Sequence, residues 1–152
     1  MRLWHKDLIP VLPRQQLLAQ WRECCCIARN ISVNGTPNHL LVNRIMNYPP
    51  EDLFTYGMSV TAEMKKRGYN ATLNSMKKFT ADLLKHDENA CQYIPMEEVF
   101  FDWHNDRYLY QCFYNLQEKY DCGGITEDEW GKIAAYMENK FLDDYIKRMR
   151  GI

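Results

Sequence analysis

The fold of this chain is decided by the stretch Pro13-Arg14-Gln15-Gln16-Leu17-Leu18-Ala19-Gln20-Trp21-Arg22-Glu23. It predicts a helix that has a proline in its first turn, where the missing N–H costs nothing, and that continues to about Asn30. At 100° per residue, the apolar and polar side chains fall on opposite faces. The apolar face holds Leu17, Leu18, Trp21, Cys24, Cys25 and Ala28, and the polar face holds Gln16, Gln20 and Glu23. Such a helix packs one side on a core and leaves the other as a polar stripe.

The rest of the chain repeats the helical periodicity, and no run is typical of a strand, so the sequence predicts an all-α fold. We expect a single compact helical domain over residues 1–152, with an N-terminal arm at 1–12 and an added C-terminal helix at about 126–149. Thr126 and Glu129 have capping-box spacing at the start of that helix, and its apolar stripe runs from Trp130 to Tyr145. Other helices are expected near 38–46, from Pro49-Pro50 to Gly68, and at about 72–86 and 105–120.

The length of 152 residues suits one domain, which would bury roughly 70% of the surface of the unfolded chain. No run of about 18 apolar residues is present, so no transmembrane helix and no membrane partner are expected. The first residues lack the apolar stretch of a signal peptide. We therefore expect a cytoplasmic protein, and a monomer is favoured.

Cysteines and histidines give no metal-site spacing. Three of the six cysteines are adjacent on the first helix and point in different directions, and the others lack the pairs, two to four residues apart, that zinc sites use. Reduced thiols, no metal and no cofactor are therefore expected. A histidine–carboxylate site stays open as an alternative, although the four histidines do not cluster in sequence: His5, His39, His86 and His104.

Charge is distributed unevenly along the chain. The net charge is −1, which argues against a general nucleic-acid binder. Residues 1–80, however, carry 11 basic and 5 acidic side chains, whereas residues 81–152 carry 8 and 15. Such a chain can present a local phosphate-binding face, expected here around Arg2, Lys6, Arg22 and the Lys65-Lys66-Arg67 cluster, or a mixed surface without a polyanion partner.

Arg2, followed by the pattern Gln-x-Leu-x-Ala-x-x-Arg-Glu from Gln15 to Glu23, resembles the small pyrimidine-dimer DNA glycosylases of the phage endonuclease V type. The resemblance is best over residues 1–30. Two shorter patches are similar to the ends of later helices in that family, Met-Lys-Lys-Arg-Gly-Tyr-Asn from Met64 and Asn-Leu-Gln-Glu-Lys from Asn115.

The resemblance implies a DNA-repair glycosylase and AP lyase that uses no cofactor and acts on duplex DNA with a lesion or an abasic site. The catalytic pair would be the Met1 amine and Glu23, which is one of only two acids among residues 1–50. Chain-terminal amines titrate near about 8 and can act as nucleophiles at neutral pH. The residues expected to bind DNA are Arg2, Arg22, Lys119, Lys65, Lys66 and Arg67.

Three positions depart from the family pattern. The phage enzymes expose a threonine once the initiator methionine is removed, whereas the bulk of Arg2 should keep Met1 in place. A basic residue expected three positions after the glutamate is Cys26 here, and one expected four positions before Lys119 is Asn115. These departures leave a second hypothesis open, a non-catalytic helical protein of the same fold that recognises nucleic acid or a protein partner. A different enzyme using the same pocket ranks third.

Overall fold

The described part of the chain, residues 1–151 in this computed structural model, contains helices and turns but no strand, which confirms the all-α prediction. The α-helices are α1 (Arg14–Asn34), α2 (Pro50–Lys66), α3 (Leu73–His86), α4 (Asp106–Asp121) and α5 (Glu127–Arg150). Short 3₁₀ helices span Lys6–Val11, Asn43–Asn47 and Met96–Glu98. No helix in the described range is long and apolar enough to cross a membrane.

Helix α1 is longer than its pattern predicted and begins one residue later. Pro13 precedes the helix as its N-cap, and the helix ends at Gly35, whose φ of 75° is the left-handed conformation that glycine adopts most easily. Ile31 extends the buried face past the expected end at about Asn30, and the helix continues for one more turn. The prediction stopped short because it followed the apolar side chains only as far as Ala28.

The prediction of a helix near residues 38–46 is wrong. The chain forms a turn there, followed by the 3₁₀ helix Asn43–Asn47. Asn38 has a φ of 55°, and the His39 amide donates to the Asn43 side-chain oxygen at 2.9 Å. An asparagine that binds the backbone in this way competes with the hydrogen bonds of a helix.

Helix α1 lies at the centre of the core, against α2 and α3. The Trp21 ring meets the Phe79 ring edge to face, with centroids 5.0 Å apart. Gly57 of α2 makes this possible, because a Cβ at that position would lie 2.7 Å from the Phe79 ring. The close approach of the three helices fixes the direction of α1, and with it the position of every polar side chain on that helix.

Residues 1–12 are packed into the domain, whereas the sequence predicted an arm. Leu3, Leu8 and Leu12 are completely buried. The Arg67 guanidinium donates to the main-chain carbonyls of Pro10 at 3.0 Å and Leu12 at 2.7 Å. Because buried leucines and bound carbonyls hold this segment along its length, the first two residues of the chain have a defined position.

Helix α5 begins with the predicted capping box, in which the side chains of Thr126 and Glu129 each accept from the other residue's backbone N–H. Of its predicted apolar stripe, Ile133 and Met137 are buried, whereas Phe141 and Tyr145 are exposed. Only the first half of the stripe is therefore buried. Helix α5 packs there on α4 and on the 3₁₀ helix Lys6–Val11, and then extends past them. All six cysteines are free thiols.

Candidate active site

The N-terminal residues meet the glutamate of α1 directly. The Arg2 backbone N–H donates a 3.0 Å hydrogen bond to Glu23 Oε2. Only the backbone of Met1 separates the terminal amine from that N–H, so the amine lies within about 7 Å of the same oxygen. Met1, Arg2 and Glu23 are all half-buried. The two residues expected to be catalytic are therefore neighbours at the surface.

Gln20 is the residue that holds this arrangement together, and the sequence did not reveal it. It was expected on a solvated polar face, but its side chain is completely buried. Its Oε1 accepts from the Trp4 N–H at 2.8 Å, and its Nε2 donates to the Arg2 carbonyl at 2.9 Å. Residues 2–4 cover this face of α1, which makes a buried amide favourable because its polar atoms are satisfied. The one available signal was its position one turn before Glu23.

Glu23 opens onto a shallow groove of about 380 Å³, which we call the Glu23 groove. Arg22 and Lys119 are both exposed, and they bring two cations to the groove from α1 and α4. The sequence predicted both as DNA-binding residues, although they lie 97 positions apart. The remaining lining residues are Trp4, Gln15, Gln16, Leu18 and Ala19.

A second groove, of about 640 Å³, lies on the other side of Arg2; we call it the arginine groove. Three arginines line it, and the described lining includes no carboxylate. The Arg2 guanidinium also stands 5.5 Å from the Trp4 ring centroid, so Arg2 lies at the boundary of the two grooves. The full lining is Arg2, Leu40, Leu41, Arg44, Trp103, Asn105, Arg107, Tyr108, Gln111, Tyr114 and Asn115.

Arg44 and Arg107 were not predicted as site residues. Arg107, Gln111 and Asn115 are spaced four residues apart on one face of α4, and this spacing was the available signal for Arg107. Arg44 follows a turn and gives no comparable signal. With Asn115 in the same groove, these two arginines supply positive charge near a position where the family pattern expected a basic residue.

The cluster Lys65-Lys66-Arg67 lines neither groove adjacent to the terminus. Lys65 and Lys66 are exposed at the end of α2. Arg67 is occupied inside the molecule, because it pairs with Glu63 at 2.8 Å in addition to its bonds with main-chain carbonyls.

Lys6 does not belong to a positive surface, contrary to expectation. Its Nζ is buried and donates to the carbonyls of Glu97 at 2.9 Å and Val99 at 2.6 Å, and burial lowers the pKa of the amine. The charge pattern could not reveal this, since the two acceptors come from a loop more than 90 residues away.

A third concavity, of about 630 Å³, has the opposite charge. Five carboxylates, from Glu51, Asp52, Glu97, Glu98 and Asp102, line it together with Arg44. Carboxylates at this density repel a phosphate backbone. This concavity is therefore unsuited to a polyanion, although it is similar in volume to the arginine groove.

His5 and His104, far apart in sequence, stack with ring centroids 5.1 Å apart. His104 Nδ1 accepts from the Lys6 N–H at 2.9 Å, which assigns its proton to Nε2. Burial, with His5, Lys6 and Arg44 nearby, lowers the pKa of His104 to about 2, and burial also lowers the pKa of His5. Within residues 1–151, no group of three or more His, Cys, Asp or Glu side chains is arranged to hold a metal ion. The histidine pair is a neutral part of the core.

Comparison with known protein families gives a match to the first half of the chain. The family model described as pyrimidine dimer DNA glycosylase matches residues 1–77, half of the chain. The matched part contains Met1, Arg2, Arg22 and Glu23, together with α1, α2 and the start of α3. No curated protein and no solved structure gives a significant match.

Proposed function

Because the chain belongs to the pyrimidine dimer DNA glycosylase family, and is therefore a DNA-repair protein of that type, we propose that its terminal amine performs base removal and strand cleavage. The Met1 nitrogen attacks the deoxyribose C1′ at a damaged nucleotide. The bond from C1′ to the base breaks, and the base leaves with the bonding electrons and a proton. Ring opening then gives a Schiff base between Met1 and C1′, and β-elimination expels the 3′ phosphate.

Glu23 has two tasks in this proposal. Its carboxylate stabilises the positive charge that develops on the sugar and then on the Schiff base, and it transfers protons between intermediates. Oε2 already accepts from the Arg2 N–H at 3.0 Å and lies 3.4 Å from Gln20 Nε2. None of the described residues donates to Oε1, which leaves that oxygen for the substrate.

In this proposal, the cations around the two grooves bind the phosphates of the DNA. Arg22 lines the Glu23 groove and Arg2 lines the arginine groove, and each can bind a phosphate through two N–H groups, which a lysine cannot do. Lys119 extends the Glu23 groove, and Arg44 and Arg107 extend the arginine groove. Lys65 and Lys66 remain proposed contacts to more distant phosphates, whereas the internal bonds of Arg67 make it a support for residues 9–12.

The observation that carries the proposal is the 3.0 Å hydrogen bond between the Arg2 N–H and Glu23. It brings the start of the chain to Glu23, the only carboxylate among the described residues that lines either groove. A terminal amine, a carboxylate and flanking arginines together meet the chemical needs of a Schiff-base lyase that has no cofactor.

Borohydride trapping on a duplex with an abasic site tests this function. We expect a covalent adduct that peptide mapping places on Met1, and acetylation of the terminus should abolish it because the nitrogen lone pair is lost. Glu23→Gln should bind the duplex yet lose strand cleavage, whereas Glu88→Gln, a change at an exposed glutamate outside both grooves, should cleave normally. An adduct on an internal lysine would refute the proposed nucleophile. No adduct from a free terminus would favour the non-catalytic binding protein.

A further inference from the structure

The turn at Leu40 and Leu41 exposes large apolar side chains at the edge of the arginine groove. Leu40 is 90% exposed, the highest value among the large hydrophobic residues that the structure describes, and Leu41 is 53% exposed. Leaving leucines in water forfeits most of the free energy that burial would provide. Single exposed apolar residues are common on protein surfaces, so exposure alone assigns no role here.

The backbone of this turn is held firmly. Pro37 and Val42 are buried on either side of the leucines. The His39 carbonyl accepts from the Val42 N–H at 3.0 Å and from the Asn43 N–H at 2.9 Å. The Asn30 side chain on α1 donates to the Pro37 carbonyl at 3.2 Å. The two leucines therefore project from a braced turn, and little conformational entropy is lost when they enter a partner.

The position of the turn identifies the partner. Leu40 and Leu41 line the arginine groove together with Arg2, Arg44 and Arg107, and no carboxylate among the described residues does so. A DNA strand whose phosphates follow these three cations must pass the leucines. Proteins that bind the DNA minor groove frequently combine basic side chains with apolar side chains that insert between base pairs and kink the duplex.

We propose that Leu40 and Leu41 form an apolar wedge that enters the base stack beside the damaged nucleotide. This inference rests on the proposed function, because it takes damaged duplex DNA as the substrate. The wedge separates one base step and bends the duplex, which exposes the deoxyribose C1′ to the terminal amine. Unstacking is easiest where the duplex is already weakened, so the wedge also favours damaged over intact DNA.

A fluorescence experiment tests the wedge independently of catalysis. A duplex is made with a tetrahydrofuran abasic-site analogue, which cannot form a Schiff base, and with 2-aminopurine as the adjacent base. The wild type should raise the 2-aminopurine emission on binding, because the base loses its stacking partner. The double variant Leu40→Ala/Leu41→Ala should lose that rise, and its preference for the analogue over intact duplex should fall roughly tenfold.

Two control variants and one binding measurement make the result specific to the wedge. Leu73→Ala alters a leucine that is 68% exposed on α3 and lines neither groove, so it should behave as the wild type does. Leu40→Phe should keep the emission rise, because a phenyl ring can also insert. The double variant should bind intact duplex with the wild-type salt dependence, since its phosphate contacts are unchanged.

The outcomes distinguish the wedge from the lyase. An unchanged emission rise and preference in the double variant would overturn the wedge, even if borohydride still traps Met1. An emission rise that is lost in the double variant, in a protein that traps nothing, would support the wedge and refute the proposed catalysis. Loss of binding to every duplex, intact or damaged, would also overturn it, because the leucines would then act through general affinity.

Discussion

The Tyr56 hydroxyl on α2 donates a 2.6 Å hydrogen bond to the main-chain carbonyl of Trp4. It also lies 3.0 Å from Gln20 Oε1, the atom that accepts from the Trp4 N–H. Tyr56 is completely buried, and burial raises the pKa of its phenol well above the usual value, so the group stays neutral and remains a donor. The segment that carries the terminal amine is thus fixed from two helices at once.

Removing this donor should weaken the fold. Tyr56→Phe leaves a buried carbonyl without its partner, which costs about 1–3 kcal/mol. Denaturant unfolding should show this loss in the free energy of unfolding, whereas the exposed change Tyr110→Phe should alter it by less than about 0.5 kcal/mol. Equal stabilities for the two variants would mean that the hydroxyl is dispensable.

Gln20→Leu should slow strand cleavage by the folded protein, in addition to the stability that is lost when its buried partners are left unpaired. The leucine has a similar volume but cannot hold the Arg2 carbonyl or the Trp4 N–H, so the amine loses its fixed position relative to Glu23. A displacement of about 1 Å can cost on the order of a hundredfold in rate. Single-turnover strand cleavage would measure it, with Gln92→Leu in an exposed loop as the control. Wild-type cleavage by Gln20→Leu would contradict the positioning role.

The salt dependence of DNA binding should distinguish the basic residues that contact phosphates from those that support the fold. Arg22→Ala and Lys119→Ala should each reduce the slope of log K against log salt by about 0.9, the contribution of one phosphate contact. Arg67→Ala should leave the slope unchanged and lower stability, because its partners are Glu63 and three main-chain carbonyls. A slope change in the Arg67 variant would place it at the DNA instead.

The stability of the protein should decrease as the pH falls below about 6.5. The pKa of His104 is about 2 in the folded state and 6.5 unfolded, so the unfolded chain takes up a proton that the folded chain refuses. His104 therefore contributes a loss of about 1.4 kcal/mol per pH unit below that value. The lowered pKa of His5 acts in the same direction.

Unfolding measurements at pH 7, 6 and 5 would test this dependence above the range where most carboxylates titrate. His104→Gln should show a flatter profile, and the exposed change His86→Gln should keep the wild-type one. A wild-type stability that does not vary with pH would contradict the neutral state of His104.

Local signals in the sequence located most helix starts. Thr72, Asn105 and Thr126 cap α3, α4 and α5 near the predicted positions because each bonds an N–H only three residues ahead. Glu23 and Arg22 were proposed as site residues by resemblance and Lys119 by its short motif, and the three line one groove. What the sequence could not supply depends on distant partners. Gln20 is buried only because residues 2–4 cover it, and Lys6 is internal only because the loop at Glu97 passes over it.

Glu129 of the α5 capping box also accepts a hydrogen bond from another helix. Glu129 Oε2 accepts from the Arg14 N–H at 2.7 Å, at the start of α1, where Pro13 provides no side-chain cap. A helix outside the family match thus completes the N-terminus of the helix that carries Glu23. Removal of α5 would leave the Arg14 N–H without this acceptor, so the N-terminal end of α1 depends on a residue 115 positions further along the chain. A truncated protein that keeps only the matched residues would therefore begin its central helix without a side-chain cap.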